Sequence, residues 1–225
     1  TGVAGFIGSH LANKFISEGH NVIGIDDLSQ GNVKNIPSEV NFIEVDLANE
    51  NSINKIPKGC QIILHLAGQS SGEISFYEPI ADLKKNTIST LNLIRYAMEN
   101  NINRFLYASS MSVYGKVSDG PIKENYKTQP LSCYGVGKLA SEHFLIILLP
   151  KTDICIMRMF NVYGPGQDMA RMDQGIVSIF LNLVKKNSII KIKGSRYRFR
   201  DLEFIDDVSN AFYHCLKTVS YTHLR

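Results

Sequence analysis

The sequence predicts an α/β fold built on a doubly wound parallel sheet. Two observations carry this. Short apolar runs alternate with segments of helical period almost throughout the chain. Asp26, Asp46, Gly68, Ser110 and Asn161 also fall at or just past the ends of those runs, where ligands bind in open α/β sheets.

In order, "FIGSHLANKFISEG" spaces Phe6, Ile7, Leu11, Phe15 and Ile16 as a helix, with Gly19 as its stop. "NVIGID" reads as a buried parallel strand, "VNFIEVD" as a second ending at Asp46, and "QIILHLAG" as a third running into glycine. "PIADLKKNTISTLNLIRYAMENN" is one long amphipathic helix with Ile80, Leu83, Ile88, Leu91 and Ile94 near one stripe. "RFLYASS" is a fourth strand, "SCYGVGKLASEHFLIILL" a helix and "DICIMRMF" a fifth strand. "GIVSIFLNLVKKN" is a helix, "IIKIKG" a strand and "DDVSNAFYHCLK" a last helix. Composition shifts toward Gly, Pro and charge after about Phe160, which places a domain boundary there: residues 1–160, then 161–225.

The totals exclude several classes. A chain of 225 residues, 44% hydrophobic and 20% charged, is ordinary for a globular protein, and a net charge of +3 argues for neither a nucleic-acid nor a membrane partner. The longest apolar run, "FLIILL", is far too short to span a bilayer. Four scattered cysteines without a CxxC pair suit a reduced, cytoplasmic setting. "KIKGSRYRFRD" alternates charge with Ile192, Tyr197 and Phe199, so it reads as a strand with one wet face. No histidine is placed to activate Cys133, His65 reads as a buried structural residue, and His214–Cys215 lacks partners at metal-ligand spacing. No metal is expected.

Two constellations carry chemistry. Gly2, Gly5 and Gly8 form GxxGxxG at the start of the first helix. A side chain at the turn would hold the backbone off a pyrophosphate, and one at Gly8 would hold the helix off the sheet. The helix N-terminus around Phe6 and Ile7 offers free N–H groups to phosphate. Asp26 ends the next strand, where a carboxylate accepts bonds from an adenosine ribose and repels a 2′-phosphate. With Asp27 beside it, the pattern favours NAD over NADP. In the second constellation, Tyr134 and Lys138 stand at i and i+4 on one helix face. An ammonium there is expected to lower the phenol pKa and make Tyr134 a base near neutral pH. Ser110 ends the preceding strand, so the fold brings its hydroxyl to the same cleft.

The stretches "TGVAGFIGSHL", "GIDDLSQG", "VDLAN", "LHLAGQSS", "RFLYASSMSVYG", "YGVGK", "FNVYGPGQD" and "RDLEFIDDV" run in order over nearly the whole chain. Together they resemble the NAD-dependent epimerase/dehydratase family of extended short-chain dehydrogenases/reductases, near its UDP-glucose 4-epimerase branch. The resemblance implies a Rossmann-like fold, with residues 1–160 as the NAD-binding domain and 161–225 as the start of a smaller substrate-binding region interleaved with it. It implies that Gly2, Gly5, Phe6, Ile7 and Gly8 hold the NAD pyrophosphate, Asp26 and Asp27 the ribose, and Asp46 and Leu47 the adenine edge. By the same likeness Leu66, Ala67 and Gly68 line the nicotinamide side. Ser110, Tyr134 and Lys138 match the catalytic Ser, Tyr and Lys, with Tyr134 and Lys138 also on the cofactor. Asn161 and Arg200 match residues on the nucleotide-sugar diphosphate.

The implied activity is epimerisation of a nucleotide sugar, a UDP-hexose, at C4 through a 4-keto intermediate. The implied full-length assembly is a homodimer. Family members that act as 4,6-dehydratases carry an Asp–Glu pair where Met111 and Ser112 stand, so the resemblance points away from that branch. Ser89 replaces a glycine common in relatives and reads as a tolerated helix substitution. Other readings are a uronate epimerase, a decarboxylase, a keto-sugar reductase, or a non-catalytic NAD-sensing module. The glycine loop has no strand before it, and "TVSYTHLR" departs from the family pattern after Lys217. The expectation is therefore a fragment that lacks the central first strand and the rest of the substrate region, that ends in non-native residues, and that by itself is poorly soluble or binds NAD weakly.

Overall fold

The computed structural model describes residues 1–117, 120–192, 195, 197 and 199–217. The elements follow the alternation in the sequence. Helix α1 (Phe6–Ser17) leads to strands β1 (Ile23–Asp26) and β2 (Asn41–Glu44), then β3 (Ile62–His65). Short helices α2 (Ile74–Tyr77) and α3 (Pro79–Leu83) precede a π-helical turn (Lys84–Ile88) and α4 (Ser89–Glu99). Strand β4 (Arg104–Ser110), helix α5 (Cys133–Leu148) and strand β5 (Asp153–Met159) come next. The chain then forms β6 (Asn161–Tyr163), α6 (Ile176–Lys185), β7 (Leu202–Phe204) and α7 (Ile205–Lys217). None of the described helices is long and apolar enough to cross a membrane.

All strand pairs are parallel. β1 pairs with β2, β4 lies between β3 and β5, and β6 pairs with β7. Strand β4 explains the layering. Phe105 and Tyr107 face a core with Leu93 and Ile94 of α4 and Leu145 of α5. Leu106 and Ala108 face Leu11 and Phe15 of α1 and Phe212 and Tyr213 of α7. Alternate side chains of one strand thus bury on opposite faces, as a doubly wound sheet requires. Helix α7 returns from the C-terminal region to pack on α1, with the Phe15 and Tyr213 rings edge to face at 5.7 Å.

Between β1 and β3 the backbone of Thr1 and Gly2 bridges the two strand edges. The Thr1 main-chain nitrogen donates to the Leu64 carbonyl at 2.7 Å, and the Gly2 amide donates to the Ile25 carbonyl at 2.7 Å. Below this bridge a cavity of about 520 Å³ runs along Gly24, Ile62 and Leu64.

Three features depart from the sequence pattern. The long helix expected over 79–101 is interrupted by the π-turn, which widens one turn by a residue and so rotates α3 against α4. Pairing of β6 with β7 joins segments about forty residues apart, a distance no local pattern reports. The strand expected at 189–194 is absent over residues 189–192, which run without a paired neighbour; residues 193 and 194 lie outside the described set, as does the tail 218–225.

Candidate active site

The site forms at the carboxyl ends of the parallel strands. The glycine loop is shaped by close approach. A Cβ on Gly8 would stand 2.0 Å from the Gly2 carbonyl oxygen, and one on Gly2, where φ is +72°, would stand 2.8 Å from the Ala67 nitrogen. Gly5 caps α1 without a side-chain bond, so the first-turn amides of Phe6, Ile7 and Gly8 are left to an outside acceptor. This cradle suits a pyrophosphate.

Asp26 ends β1 and is buried. Its two oxygens accept the Ala4 and Leu28 amides at 3.0 and 2.9 Å, which aims the carboxylate at the loop. Asp27 turns elsewhere. It accepts the amide and hydroxyl of Ser29 and the Lys85 ammonium, the last at 2.5 Å. Burial opposes its ionisation, but the bonds from Lys85 and Ser29 outweigh burial and hold the carboxyl below its ordinary range. Asp46 accepts the Ala48 amide at 2.9 Å and lies 3.1 Å from the same Lys85 ammonium. Leu47 sends its side chain into the core and its carbonyl to Asn92, so its backbone edge is what it offers a ligand.

After β3, the amides of Leu66 and Ala67 donate to the Thr1 hydroxyl. A Cβ on Gly68 would stand 2.4 Å from Asn86 Oδ1. Asn86 Nδ2 donates to the Gln69 carbonyl and to Asp82, while its Oδ1 is buried with no hydrogen-bond partner among the described residues. A buried carbonyl oxygen left unpaired costs about 1–3 kcal/mol, and a bound ligand or water would relieve it.

The catalytic candidates converge beside it. Ser110 ends β4 and accepts the Ser112 amide at 3.2 Å. Tyr134 and Lys138 sit on the first two turns of α5, capped by the Ser132 hydroxyl accepting the Gly135 amide. Lys138 is 4% exposed. It donates to the Ala108 carbonyl at 3.0 Å and stands 5.0 Å and 5.8 Å from the Tyr107 and Tyr134 ring centres. Burial lowers its pKa to about 8, against the raising effect of Asp82 and Glu142.

The i, i+4 spacing predicts that Lys138 pulls the Tyr134 phenol down. The structure shows the opposite: burial pushes it up to about 12, the hydrogen bond with Ser110 lowers it, and the Asp82 charge raises it again. The ammonium lies over the ring and bonds a main-chain carbonyl instead of the phenol oxygen, so desolvation wins.

On the outer side, Asn161 opens β6, donates to the Asp201 carbonyl at 2.8 Å and stands 4.0 Å from the Met111 sulfur. Arg200 is exposed on the segment entering β7, next to that Asp201. The structure therefore brings Ser110, Tyr134 and Lys138 together and sets Asn161 and Arg200 at one rim. Sequence reasoning missed Asp82, Lys85, Glu142 and Arg158. For the last pair the only local hint was a carboxylate one turn beyond Lys138 on the same helix.

Residues 1–223 match the NAD dependent epimerase/dehydratase family. The chain belongs to that family. Its relatives within the NAD-dependent epimerase/dehydratase family include a UDP-glucose 4-epimerase of Mycolicibacterium smegmatis, 34% identical over 221 residues, covering 94% of this chain and 70% of the relative. UDP-glucuronic acid decarboxylase 1 of Xenopus tropicalis is 30% identical over 217 residues, covering 93% of this chain and 51% of that protein. The crystal structure of Thermus thermophilus UDP-glucose 4-epimerase in complex with NAD superposes with a TM-score of 0.89 at 29% identity, covering 97% of this chain and 74% of the other.

Proposed function

We propose that the protein is an NAD-dependent enzyme that epimerises a nucleotide-activated sugar, a UDP-hexose, at C4. The observation that carries this is the convergence of Ser110, Tyr134 and Lys138 beside a cradle that only glycine backbone can form. Residues 1–160 serve as the cofactor domain and 161–225 as part of a sugar-nucleotide region interleaved with it, α7 packing back on α1. The first-turn amides of α1 hold the pyrophosphate, Asp26 the adenosine ribose, and the backbone from Leu66 to Gly68 the nicotinamide side. The buried Asn86 oxygen, unpaired among the described residues, supports a polar group lying beside it.

NAD held there by the α1 amides and Asp26 would supply the hydride acceptor for C4 of the sugar and the donor back to the opposite face of the transient 4-keto intermediate. Tyr134 removes the proton of the 4-hydroxyl, and Ser110 holds that oxygen. Protonated Lys138 supplies positive charge beside the phenol, which burial otherwise pushes up, and the hydrogen bond with Ser110 acts in the same direction as that charge. Asn161 and Arg200 receive the diphosphate of the substrate. Met111 and Ser112 offer no acid–base pair for eliminating water.

Tyr134→Phe is expected to retain NAD and lose turnover by roughly 10³-fold or more, on the scale of a general base with its relay; near-wild-type turnover overturns the assignment. A second reading, decarboxylation of a UDP-uronate, rests on the similarity to the decarboxylase. Incubation with UDP-glucose, UDP-N-acetylglucosamine and UDP-glucuronate separates the two, because only the second releases carbon dioxide.

A further inference from the structure

The glycine cradle and Asp26 leave one charged cluster of the cleft unexplained. Lys85 Nζ lies 2.5 Å from Asp27 Oδ2 and 3.1 Å from Asp46 Oδ1. Those carboxylates sit on separate loops, one after β1 and one after β2. The lysine reaches them from the π-turn, where successive residues part: Asn86 turns inward toward Gly68 and is 1% exposed, while Lys85 faces outward. Ser89 fixes this arrangement, since its hydroxyl donates to the Lys85 carbonyl at 2.6 Å.

The bridge therefore joins the loops after β1 and β2, whose Asp26 and Leu47 the cofactor reading assigns to the adenosine half. Without a cation, Asp26, Asp27 and Asp46 would place three negative charges at the end of a site meant for a dinucleotide that carries two phosphates. We propose that Lys85 is a strap over the adenosine half of the cofactor cleft, and that it slows the departure of NAD by tying the β1 and β2 loops together. This rests on the NAD-binding reading of the glycine cradle. An epimerase that regenerates its cofactor at each turnover gains from such retention.

The test uses the full chain. NADH is loaded, excess NAD is added, and the fall in bound-NADH fluorescence gives the dissociation rate. Lys85→Met is expected to release NADH roughly three- to tenfold faster, the scale of two partly exposed ion pairs, with Lys85→Arg restoring most of the retention. Asp46→Asn, which removes one arm, should fall between. Added salt should speed release from the wild type more than from Lys85→Met. Equal release rates in wild type and Lys85→Met, with unchanged melting curves, overturn the strap. So does a variant whose retention of NAD is unchanged while its preference for NADP shifts, which would make Lys85 a reader of the 2′ position. Failure of the wild type itself to bind NADH counts against both the cofactor reading and the strap; wild-type binding with an unaltered variant counts against the strap alone.

Discussion

Two ionic clusters border the cleft, and they differ in what water can reach. Glu142 and Arg158 meet in a bidentate pair, Nε to Oε1 at 2.9 Å and Nη2 to Oε2 at 2.6 Å, with side chains 4% and 11% exposed. Ser109 also donates to Glu142, and the Arg158 guanidinium stacks 4.9 Å from the Tyr114 ring centre. In the Lys85 cluster the side chains of lysine, Asp27 and Asp46 are 33%, 22% and 44% exposed. The dry cluster joins helix α5, which carries Tyr134 and Lys138, to the strand ends that carry Ser109 and Ser110. It therefore fixes the placement of Ser110, Tyr134 and Lys138 at the level of the fold. The wet cluster ties two loops and can open without disturbing the core. Burial, more than charge, decides which role an ion pair takes.

The comparison breaks most readily at Arg158. Arg158→Met leaves Glu142 buried without its counter-ion, and should cost about 3–5 kcal/mol of stability, read as a lower denaturant midpoint. Replacing Glu142 by Leu in the same chain should recover much of that loss, since apolar pairs of similar volume often match a buried ion pair. A single variant as stable as the wild type would place this cluster with the wet one.

A second effect concerns the buried Lys138. Its folded pKa of about 8 lies below the ordinary 10.5. Between those values the unfolded chain holds a proton that the folded chain has released. The contribution of this group to stability therefore rises with pH from about 8 toward 10.5 and is flat below 8. Its full size is about 3 kcal/mol. Urea melts at about pH 8 and about pH 10 should show the rise, and Lys138→Met should flatten it. A wild type whose stability does not increase over that interval would mean that the ammonium is better solvated than its burial indicates.

The smallest expected change sharpens the contrast. Lys85→Met should move global stability by less than about 1 kcal/mol, while speeding cofactor release severalfold. Chemical melts of the cofactor-free chain measure the first quantity without the second.

Much of this architecture is legible in the residues. Strand β4 occupies the segment its apolar run predicts, and α5 starts where Ser132 caps it. Gly2, Gly5 and Gly8 announce a cradle, because a Cβ there meets backbone wherever the loop folds this way. The Tyr134–Lys138 pairing comes from helical period alone. These are local signals, written within a turn or a strand.

What the sequence by itself determined is thus the alternation, the two-faced sheet, the family and the position of Asp26, Ser110 and Asn161 at or just past strand ends. Tertiary structure decided the rest. Lys85 meets Asp27 across 58 residues, and Glu142 meets Arg158 across 16 between a helix and a strand. The π-turn that parts Lys85 from Asn86 is set by packing against α5 and the loop after β3, because the helical pattern runs through it unbroken. The pKa of Tyr134 was inverted for the same reason. Spacing brings an ammonium near a phenol, but only the packed fold determines how much water is taken from both, and desolvation acts on the phenol more strongly than the charge beside it.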